Sequence, residues 1–154
     1  MALYMGIDVG GTTVKGIVID QKGTIICENN VPTQIGEQLA DCIITLADLL
    51  VGATGKVYSS LVGVGVCSPG IIDSENGVIV FSGNLKLKNY PLKALLEDKL
   101  GIPVKVGNDA NGAALGEAKF GAGKGYKDSI LVTLGTGVGG GIIIDGKIFE
   151  GNKG

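Results

Sequence analysis

Three short apolar runs, separated by polar turns that contain glycine, open the chain. They cover 3–9, 13–20 and 24–31 and are rich in β-branched residues. Runs of this length and composition are typical of strands, and turns too short to hold a helix make neighbouring strands antiparallel. The pattern therefore predicts a three-stranded antiparallel meander.

The hydrophobic period then changes from that of a strand to that of a helix. Apolar residues recur at helical spacing over 35–50, which predicts a helix with Thr33 as its N-cap and with Gly52 and Gly55 at its end. The run 61–67 is apolar almost throughout, which is typical of a parallel strand buried on both faces.

The second half of the chain alternates strands with helices that begin at Pro, Asn or Asp and end at Gly. In chain order, the predicted elements are a β excursion over 68–81, a helix opened by Pro91 and ended by Gly101, a strand over 103–109, a helix from Asn108 or Asp109 to Gly121, a linker over 121–128 and a β pair over 129–149. The Ala and Gly residues of the last helix predict a close approach of its backbone to a neighbouring element.

Composition excludes several functional classes. The net charge is −2, charged residues make up 18% and aromatic residues 5%, so we expect neither the basic surface nor the stacking platform of a nucleic-acid-binding protein. The sequence has no His, which excludes a His base, a His metal ligand and a Ser-His triad within these residues. The Cys residues are far apart and form no C-x-x-C, so we expect no zinc site and no disulfide framework.

The chain also lacks the patterns that direct a protein into or across a membrane. Its first residues contain no basic segment followed by a long apolar one, so no signal peptide is predicted. No apolar run approaches the roughly 20 residues that a membrane helix needs. We therefore expect no membrane partner and a cytoplasmic location.

A glycine-rich motif lies near the end of the chain. The stretch 133–144, TLGTGVGGGIII, contains G-x-G-x-x-G at Gly135, Gly137 and Gly140. A dinucleotide loop requires a strand, a glycine turn and then a helix. The β-branched run and the Asp-Gly turn that follow Gly141 predict a returning strand instead, so the Rossmann interpretation is rejected. The Walker interpretation fails too, because no Gly-Lys-Ser/Thr follows at the required spacing.

The same pattern occurs near the start of the chain. Residues 8–20 are DVGGTTVKGIVID and residues 133–145 are TLGTGVGGGIIID, and Gly16 aligns with Gly141 at a constant offset that also aligns the apolar run after each glycine. Both stretches predict a strand, a glycine turn with Thr, and a return strand. Duplication of one unit and chance recurrence of a common hairpin both account for the repetition.

Glycine turns of this kind can hold a phosphate group, because Gly lets backbone N–H groups converge without a Cβ in the way. The candidate residues of the two turns are Gly10, Gly11 and Thr12 in the first and Gly135, Thr136 and Gly137 in the second. Asp8 ends the first strand, where a carboxylate suits Mg²⁺ or a metal-bound water. Lys15 is either a cation for a phosphoryl oxygen or an exposed surface lysine.

Two phosphate-holding turns on two units predict a cleft with ATP between them, and phosphoryl transfer then needs a positioned hydroxyl and a base. Asp109 lies at a strand-to-helix junction, where the helix dipole keeps a carboxylate ionised. It is either the base, which orients a hydroxyl and accepts its proton, or only the helix N-cap. Asn108 can hydrogen-bond the same polyol. Gly70 and Asn84 lie in loops after predicted strands, where polar groups can face the cleft.

Five motifs together resemble the ROK family of sugar kinases, and within it the bacterial glucokinase-like members. In family order they are DVGGTTVKG (8–16), SPGIID (68–73), GNL (83–85), NDANGAALGE (108–117) and LGTGVGGG (134–141). Each motif alone is modest, but five in order across nearly the whole chain are specific.

The resemblance implies an α/β fold of the actin-like, RNase H-like ATPase class, with a mixed five-stranded sheet and flanking helices. Residues 1–122 would form the N-terminal domain. Residues 123–154 would form a linker and the first β-hairpin of a related second domain, so that the chain is truncated before most of that domain.

The resemblance further implies ATP-dependent phosphorylation of a hexose with Mg²⁺, glucose at its 6-hydroxyl being the first expectation. Asp109 would be the base, and Asp8 would hold Mg²⁺ through a water. The implied nucleotide residues are Asp8, Gly10, Gly11, Thr12, Lys15, Gly135, Thr136 and Gly137, and the implied sugar residues are Gly70, Asn84, Asn108 and Asp109.

Departures from the family pattern limit these expectations. Family members continue into an E-x-G-H segment, which many follow with a Cys-rich zinc motif, and neither occurs here. We therefore expect an N-terminal portion that holds no zinc and has negligible kinase activity by itself. Leu87 stands where glucokinase-like members often carry Trp, which weakens the choice of sugar.

Two alternatives stay open within the family, a non-catalytic sugar sensor and a sugar-responsive transcriptional regulator. Such regulators carry a helix-turn-helix before the first phosphate turn, and the seven residues that precede Asp8 in this sequence are too few for one, so a regulator is not the first expectation. The presence of Asp8 and Asp109 argues against a sensor. The apolar faces of the last hairpin predict a homo-oligomer, because uncovered β surface tends to self-associate.

Overall fold

A computed structural model describes residues 2–135 and 137–151. Their contacts divide the chain into two compact units, Met1–Gly107 and Asn108–Gly154. The last helix is thereby grouped with the hairpin that follows it, whereas the boundary expected at residue 122 separates the two. That domain boundary stays a prediction.

The elements alternate between strands and helices along most of the chain. In chain order they are β1 (Leu3–Val9), β2 (Thr13–Asp20), β3 (Ile25–Pro32), α1 (Leu39–Thr54), β4 (Leu61–Ser68), β5 (Ile71–Asp73), β6 (Val78–Ser82), β7 (Leu87–Tyr90), α2 (Leu92–Leu100), β8 (Val104–Asn108), α3 (Asp109–Phe120), β9 (Ser129–Leu134), β10 (Val138–Ile144) and β11 (Lys147–Ile148). Short 3-10 turns over Gly36–Gln38 and Tyr58–Ser60 precede α1 and β4. No helix in the described part of the chain is long and apolar enough to cross a membrane.

The main sheet has five strands in the order β3-β2-β1-β4-β8. β1 pairs with β2 in the antiparallel sense and with β4 in the parallel sense, and β2 pairs with β3 in the antiparallel sense. The predicted meander, the parallel strand and the mixed five-stranded sheet are therefore confirmed. Two further sheets are three-stranded, in the orders β5-β6-β7 and β11-β10-β9.

Helix α1 packs closely on the sheet through a glycine of β2. A Cβ built at Gly16 would lie 2.6 Å from Leu50 Cδ1 and 3.1 Å from Leu46 Cδ2, and both leucines are fully buried. Alternate residues of β1 are buried on the same face and complete the core under this helix; they are Leu3, Met5, Ile7 and Val9. The sheet thus has one covered face, and the side chains of alternate positions lie on the other.

Two predictions about elements are wrong, and one element was missed. Thr33 is not the cap of α1, because the helix begins at Leu39 after the 3-10 turn and the Thr33 hydroxyl donates to the Gly10 carbonyl oxygen instead. β4 is not buried on both faces within this chain, since its residues alternate and Val62 is 52% exposed. β7 was not predicted at all, because it is short and half polar, and Asn89 within it has a positive φ.

We expect Gly16→Ala to destabilise the protein, because its new methyl group would enter a packed core. Overpacking of this kind costs about 1–3 kcal/mol in the free energy of unfolding. The matched control is Gly65→Ala in β4, where no atom lies within 4 Å of the added Cβ. Urea unfolding followed by circular dichroism compares the two, and equal stability of both variants would contradict this view of the α1 packing.

Candidate functional site

The first glycine turn joins β1 to β2 after their last residue pair, Val9 and Val14. The Gly10 N–H donates to the Thr13 carbonyl at 3.1 Å and closes the turn. A Cβ at Gly10 would lie 2.7 Å from that same carbonyl oxygen, whereas nothing lies within 4 Å of one at Gly11. The backbone at Gly11 is therefore open to an approaching group, as a phosphate-holding turn requires.

Two charged residues lie side by side next to this turn. Asp8 and Lys15 are directly opposite each other in the antiparallel pair β1–β2, so their side chains lie on one face, and both are exposed. In the neighbouring strands, Asn30 of β3 pairs with Lys15, and Cys67 of β4 pairs with Asp8, so the four residues form one row across the sheet. Because Gly16 faces α1, this row lies on the opposite face of the sheet.

The second glycine turn joins β9 to β10. Leu134 and Val138 form the last residue pair, and the Gly135 N–H donates to the Gly137 carbonyl at 2.9 Å. Thr136, the predicted hydroxyl donor of this turn, lies outside the described residues. The segment after the turn is an antiparallel strand and not a helix, so rejection of the dinucleotide interpretation is confirmed.

The structure separates the roles of the two polar residues that begin α3. The Asn108 Oδ1 accepts hydrogen bonds from the Ala110 N–H at 2.9 Å and the Asn111 N–H at 3.3 Å, so Asn108 is the N-cap. Asp109 is the first residue of the helix, and its exposed carboxylate also accepts from the Ala110 N–H at 2.9 Å. The view of Asp109 as the N-cap is therefore wrong, and its role as a base stays a prediction.

Helix α3 lies against the glycines of β10. A Cβ at Gly141 would lie 2.5 Å from the Ala114 Cβ and 2.8 Å from the Ala110 carbonyl oxygen, and one at Gly139 would lie 3.5 Å from the Ala110 Cβ. The close backbone approach expected from the Ala and Gly residues of α3 is confirmed. It places Asp109 and the second glycine turn in one compact unit.

The two loops that carry the predicted sugar-binding residues Gly70 and Asn84 lie at one end of the β5-β6-β7 sheet. Gly70 has φ +116°, and a Cβ there would collide with the Phe81 carbonyl and lie 3.0 Å from the Ser82 Cβ. Asn84 follows Ser82 in the exposed turn between β6 and β7. The structure thus brings Gly70 close to the turn that carries Asn84. Their roles as sugar contacts stay predictions.

The first unit also contains a connection that was not predicted. The Thr33 hydroxyl donates to the Gly10 carbonyl at 2.8 Å, and the Thr33 N–H donates to the Thr12 carbonyl at 3.0 Å. Farther along, the Gly36 N–H donates to the Leu85 carbonyl at 2.9 Å, next to Asn84. In the sequence, Thr33 stands just before residues with helical spacing. That position predicted a helix cap and gave no indication of a contact with the first glycine turn.

The mixed five-stranded sheet, with the glycine turn that joins β1 to β2, is the core of an actin-like ATPase fold, of which the chain contains about half. The chain belongs to the ROK family, whose family model matches residues 4–154.

Curated and solved relatives agree with this assignment. The chain is 41% identical to a glucokinase from Streptomyces coelicolor over all of its length and 47% of that protein. It is 36% identical to a xylose repressor from Caldicellulosiruptor bescii over 97% of the chain and 38% of that protein. Among solved structures it resembles a ROK family glucokinase from Streptomyces griseus in complex with glucose and AMPPNP, with a TM-score of 0.88, 38% identity, and coverage of 98% of the chain and 47% of the structure. The chain spans about half the length of the curated relatives it matches, or less.

We expect Gly141→Ala to loosen α3, because the added methyl group would press on the first turns of that helix. Amide hydrogen exchange of the α3 backbone should become faster while exchange in β1 and β2 stays unchanged. Gly116→Ala is the matched control within α3, since nothing lies within 4 Å of the added Cβ. It should stabilise the helix by up to about 1 kcal/mol, because Ala is a better helix former than Gly. Unchanged exchange in Gly141→Ala would show that the close approach is dispensable.

Proposed function

We propose that the full-length protein containing this chain transfers the γ-phosphoryl group of ATP to a hexose, with glucose at its 6-hydroxyl as the first substrate to test. The observation that carries this proposal is the capping of α3 by Asn108, which leaves the Asp109 carboxylate exposed at the positive end of a helix. The similarity to glucokinases supports the same reaction.

The two glycine turns are the proposed phosphate-binding elements. In the first, Gly11 and Thr12 are exposed and the backbone is uncovered at Gly11. In the second, Gly135 and Gly137 are exposed, and Thr136 would add a hydroxyl donor. Backbone N–H groups that converge in such turns bind phosphate oxygens without a charged side chain. The AMPPNP present in the Streptomyces griseus glucokinase structure supports ATP as the nucleotide.

Asp8 is the proposed anchor for Mg²⁺, and Lys15 is its cationic neighbour. Among the described residues, no three His, Cys, Asp or Glu side chains cluster in a way that could hold a metal by themselves. A single carboxylate beside a phosphate-holding turn fits Mg²⁺, which proteins bind through one or two carboxylates together with substrate phosphates and waters. Bound there, Mg²⁺ would neutralise charge on the phosphate oxygens.

Asp109 would orient the sugar hydroxyl and accept its proton while the hydroxyl oxygen forms a bond to the γ-phosphorus. The bond between that phosphorus and the oxygen bridging the β- and γ-phosphates breaks, and ADP leaves. Asn108 is proposed to contact the same sugar, and Gly70 and Asn84 to line the pocket. Positioning and charge stabilisation supply most of the catalysis in this class of reaction.

Asp109→Asn in the full-length protein should lower kcat by about 10²–10⁴-fold, the range expected for loss of a general base. Asn keeps an oxygen for the Ala110 N–H, so the fold and the sugar affinity should be preserved. A coupled ADP-release assay over a hexose panel measures turnover, and calorimetry measures sugar binding.

The matched control for this experiment is Asp98→Asn, which changes an exposed carboxylate on α2 and should leave kcat unaltered. Retention of turnover by Asp109→Asn would refute the assignment of the base. The same assay on the isolated chain should show negligible turnover.

A sugar-responsive regulator is the alternative function, and the similarity to a xylose repressor supports it. The same hexose panel distinguishes the two. Sugar binding without any ADP release by the wild-type protein favours the regulator or sensor. Saturable ADP release that depends on one hexose favours the kinase, for which a cytoplasmic location with access to ATP is proposed.

The outer face of the β9–β10 hairpin supports a proposed homo-oligomer. Its apolar side chains are 59–83% exposed at Ile130, Val132, Leu134 and Val138, and Ile142 pairs with Ile130 on the same face. Exposed apolar β surface of this kind tends to be covered by another chain.

We expect the isolated chain to form dimers or larger assemblies by light scattering. The double substitution Ile130→Lys and Val132→Lys should make it monomeric, because it places two charges on that face. Lys56→Ala and Lys105→Ala together are the control, since they change exposed lysines outside the hairpin. A wild-type chain that is monomeric at high concentration would contradict the proposal.

A further inference from the structure

We propose that Thr33 is a positioning residue for the nucleotide, which holds the first glycine turn in the form that binds phosphate. This inference rests on the proposed function, because it assigns the role of a residue outside the turn to the same nucleotide site. The residues that carry it are Thr33, Gly10 and Thr12, which two hydrogen bonds join across an interval of about twenty residues in the chain.

Both hydrogen bonds from Thr33 end on carbonyl groups of the turn. The hydroxyl donates to the Gly10 carbonyl at 2.8 Å, and the backbone N–H donates to the Thr12 carbonyl at 3.0 Å. Neither bond uses an N–H group of the turn. Thr33 therefore fixes the turn through its acceptors and occupies none of its N–H groups, of which that of Gly10 donates to the Thr13 carbonyl within the turn.

Because the peptide bond is planar, fixing a carbonyl group of the turn also fixes the direction of the N–H group in the same peptide unit. No cis peptide bond occurs in the described part of the chain, and in a trans peptide the C=O and the N–H point in opposite directions. The Gly11 N–H belongs to the same peptide unit as the Gly10 carbonyl, and the Thr13 N–H to that of Thr12. Holding the two carbonyls toward Thr33 thus directs these two N–H groups away from it. At Gly11, no atom lies within 4 Å of the position that a Cβ would take.

Thr33 can serve as an anchor because its own segment is held at both ends. β3 ends at Pro32, which pairs with Thr13, and Gly36 donates to the Leu85 carbonyl at 2.9 Å. We call residues 33–36 the strap. Because the strap is held at β3 and at Leu85, we expect its position to be fixed. The hydrogen bonds from Thr33 then fix the conformation of the turn.

Thr33→Val is the decisive substitution, because valine keeps the shape of threonine and removes the hydroxyl donor. In the full-length protein we expect the Kd for AMPPNP, measured by calorimetry, and the KM for ATP to rise about three- to tenfold, as the loss of one hydrogen bond implies. The KM for the sugar should stay unchanged, since the Gly36–Leu85 bond is retained. Thr33→Ser keeps the hydroxyl and should bind AMPPNP as the wild type does.

Thr45→Val is the matched control. The Thr45 hydroxyl also donates to a backbone carbonyl, that of Asp41 at 2.9 Å, but it lies on the exposed side of α1. The substitution removes the same kind of bond away from the turn and should leave AMPPNP binding unaltered.

Three results would overturn the role of Thr33: unchanged AMPPNP affinity in Thr33→Val, an equal loss in Thr33→Ser, or an equal loss of sugar affinity. If Thr33→Val does not fold, comparison of Thr33→Ala with Thr33→Ser decides the same point. Calorimetry requires no turnover, so a wild-type protein that binds AMPPNP and phosphorylates no hexose contradicts the kinase proposal alone. A wild-type protein that does not bind AMPPNP contradicts both proposals.

Discussion

Each compact unit depends on a helix that lies directly against a glycine of a return strand. In the first unit the glycine is Gly16 of β2, under the leucines of α1. In the second it is Gly141 of β10, under Ala114 of α3. A Cβ at either position would lie 2.5–2.6 Å from a side-chain carbon of the helix, well inside van der Waals contact, so atoms of the helix would have to shift. The strand that leaves each glycine turn is thereby fixed by the helix above it.

This shared contact bears on the origin of the repeated sequence pattern. Both turns begin directly after the last residue pair of their hairpins, Val9 with Val14 and Leu134 with Val138. Chance recurrence of a glycine hairpin accounts for the turns, but it gives no reason for a helix to lie on the aligned glycines 16 and 141. Duplication of one unit of hairpin and helix does not account for it either, because α1 follows its hairpin in the chain whereas α3 precedes its own.

Local chemistry was predictable from the sequence, and contacts between distant segments were not. Pro91 and Gly101 bound α2 as expected, and Asn108 caps α3, because capping depends on groups within one helical turn. Thr33 was wrongly predicted to be a helix cap because a polar residue just before a helical pattern usually caps that helix. Its hydroxyl instead donates to the carbonyl of Gly10, which is distant in the sequence. The open face of β4 was missed for a similar reason, since an apolar run does not reveal what covers it. At the candidate site, the residue types and their order were predictable, whereas the anchoring of the first turn was not.

The order of Asn108 and Asp109 along the chain decides which of the two side chains caps α3 and which stays exposed. Asn and Asp are both good N-caps, and the residue that comes first takes that role because its side chain reaches the N–H groups of the next turn. With Asn first, a neutral amide oxygen satisfies Ala110 and Asn111, and the carboxylate stays exposed at the helix end. The reverse order would commit the carboxylate to capping and present an amide, which cannot accept a proton from a hydroxyl. A carboxylate that stays exposed at this junction therefore requires a separate cap directly before it, and Asn108 supplies one.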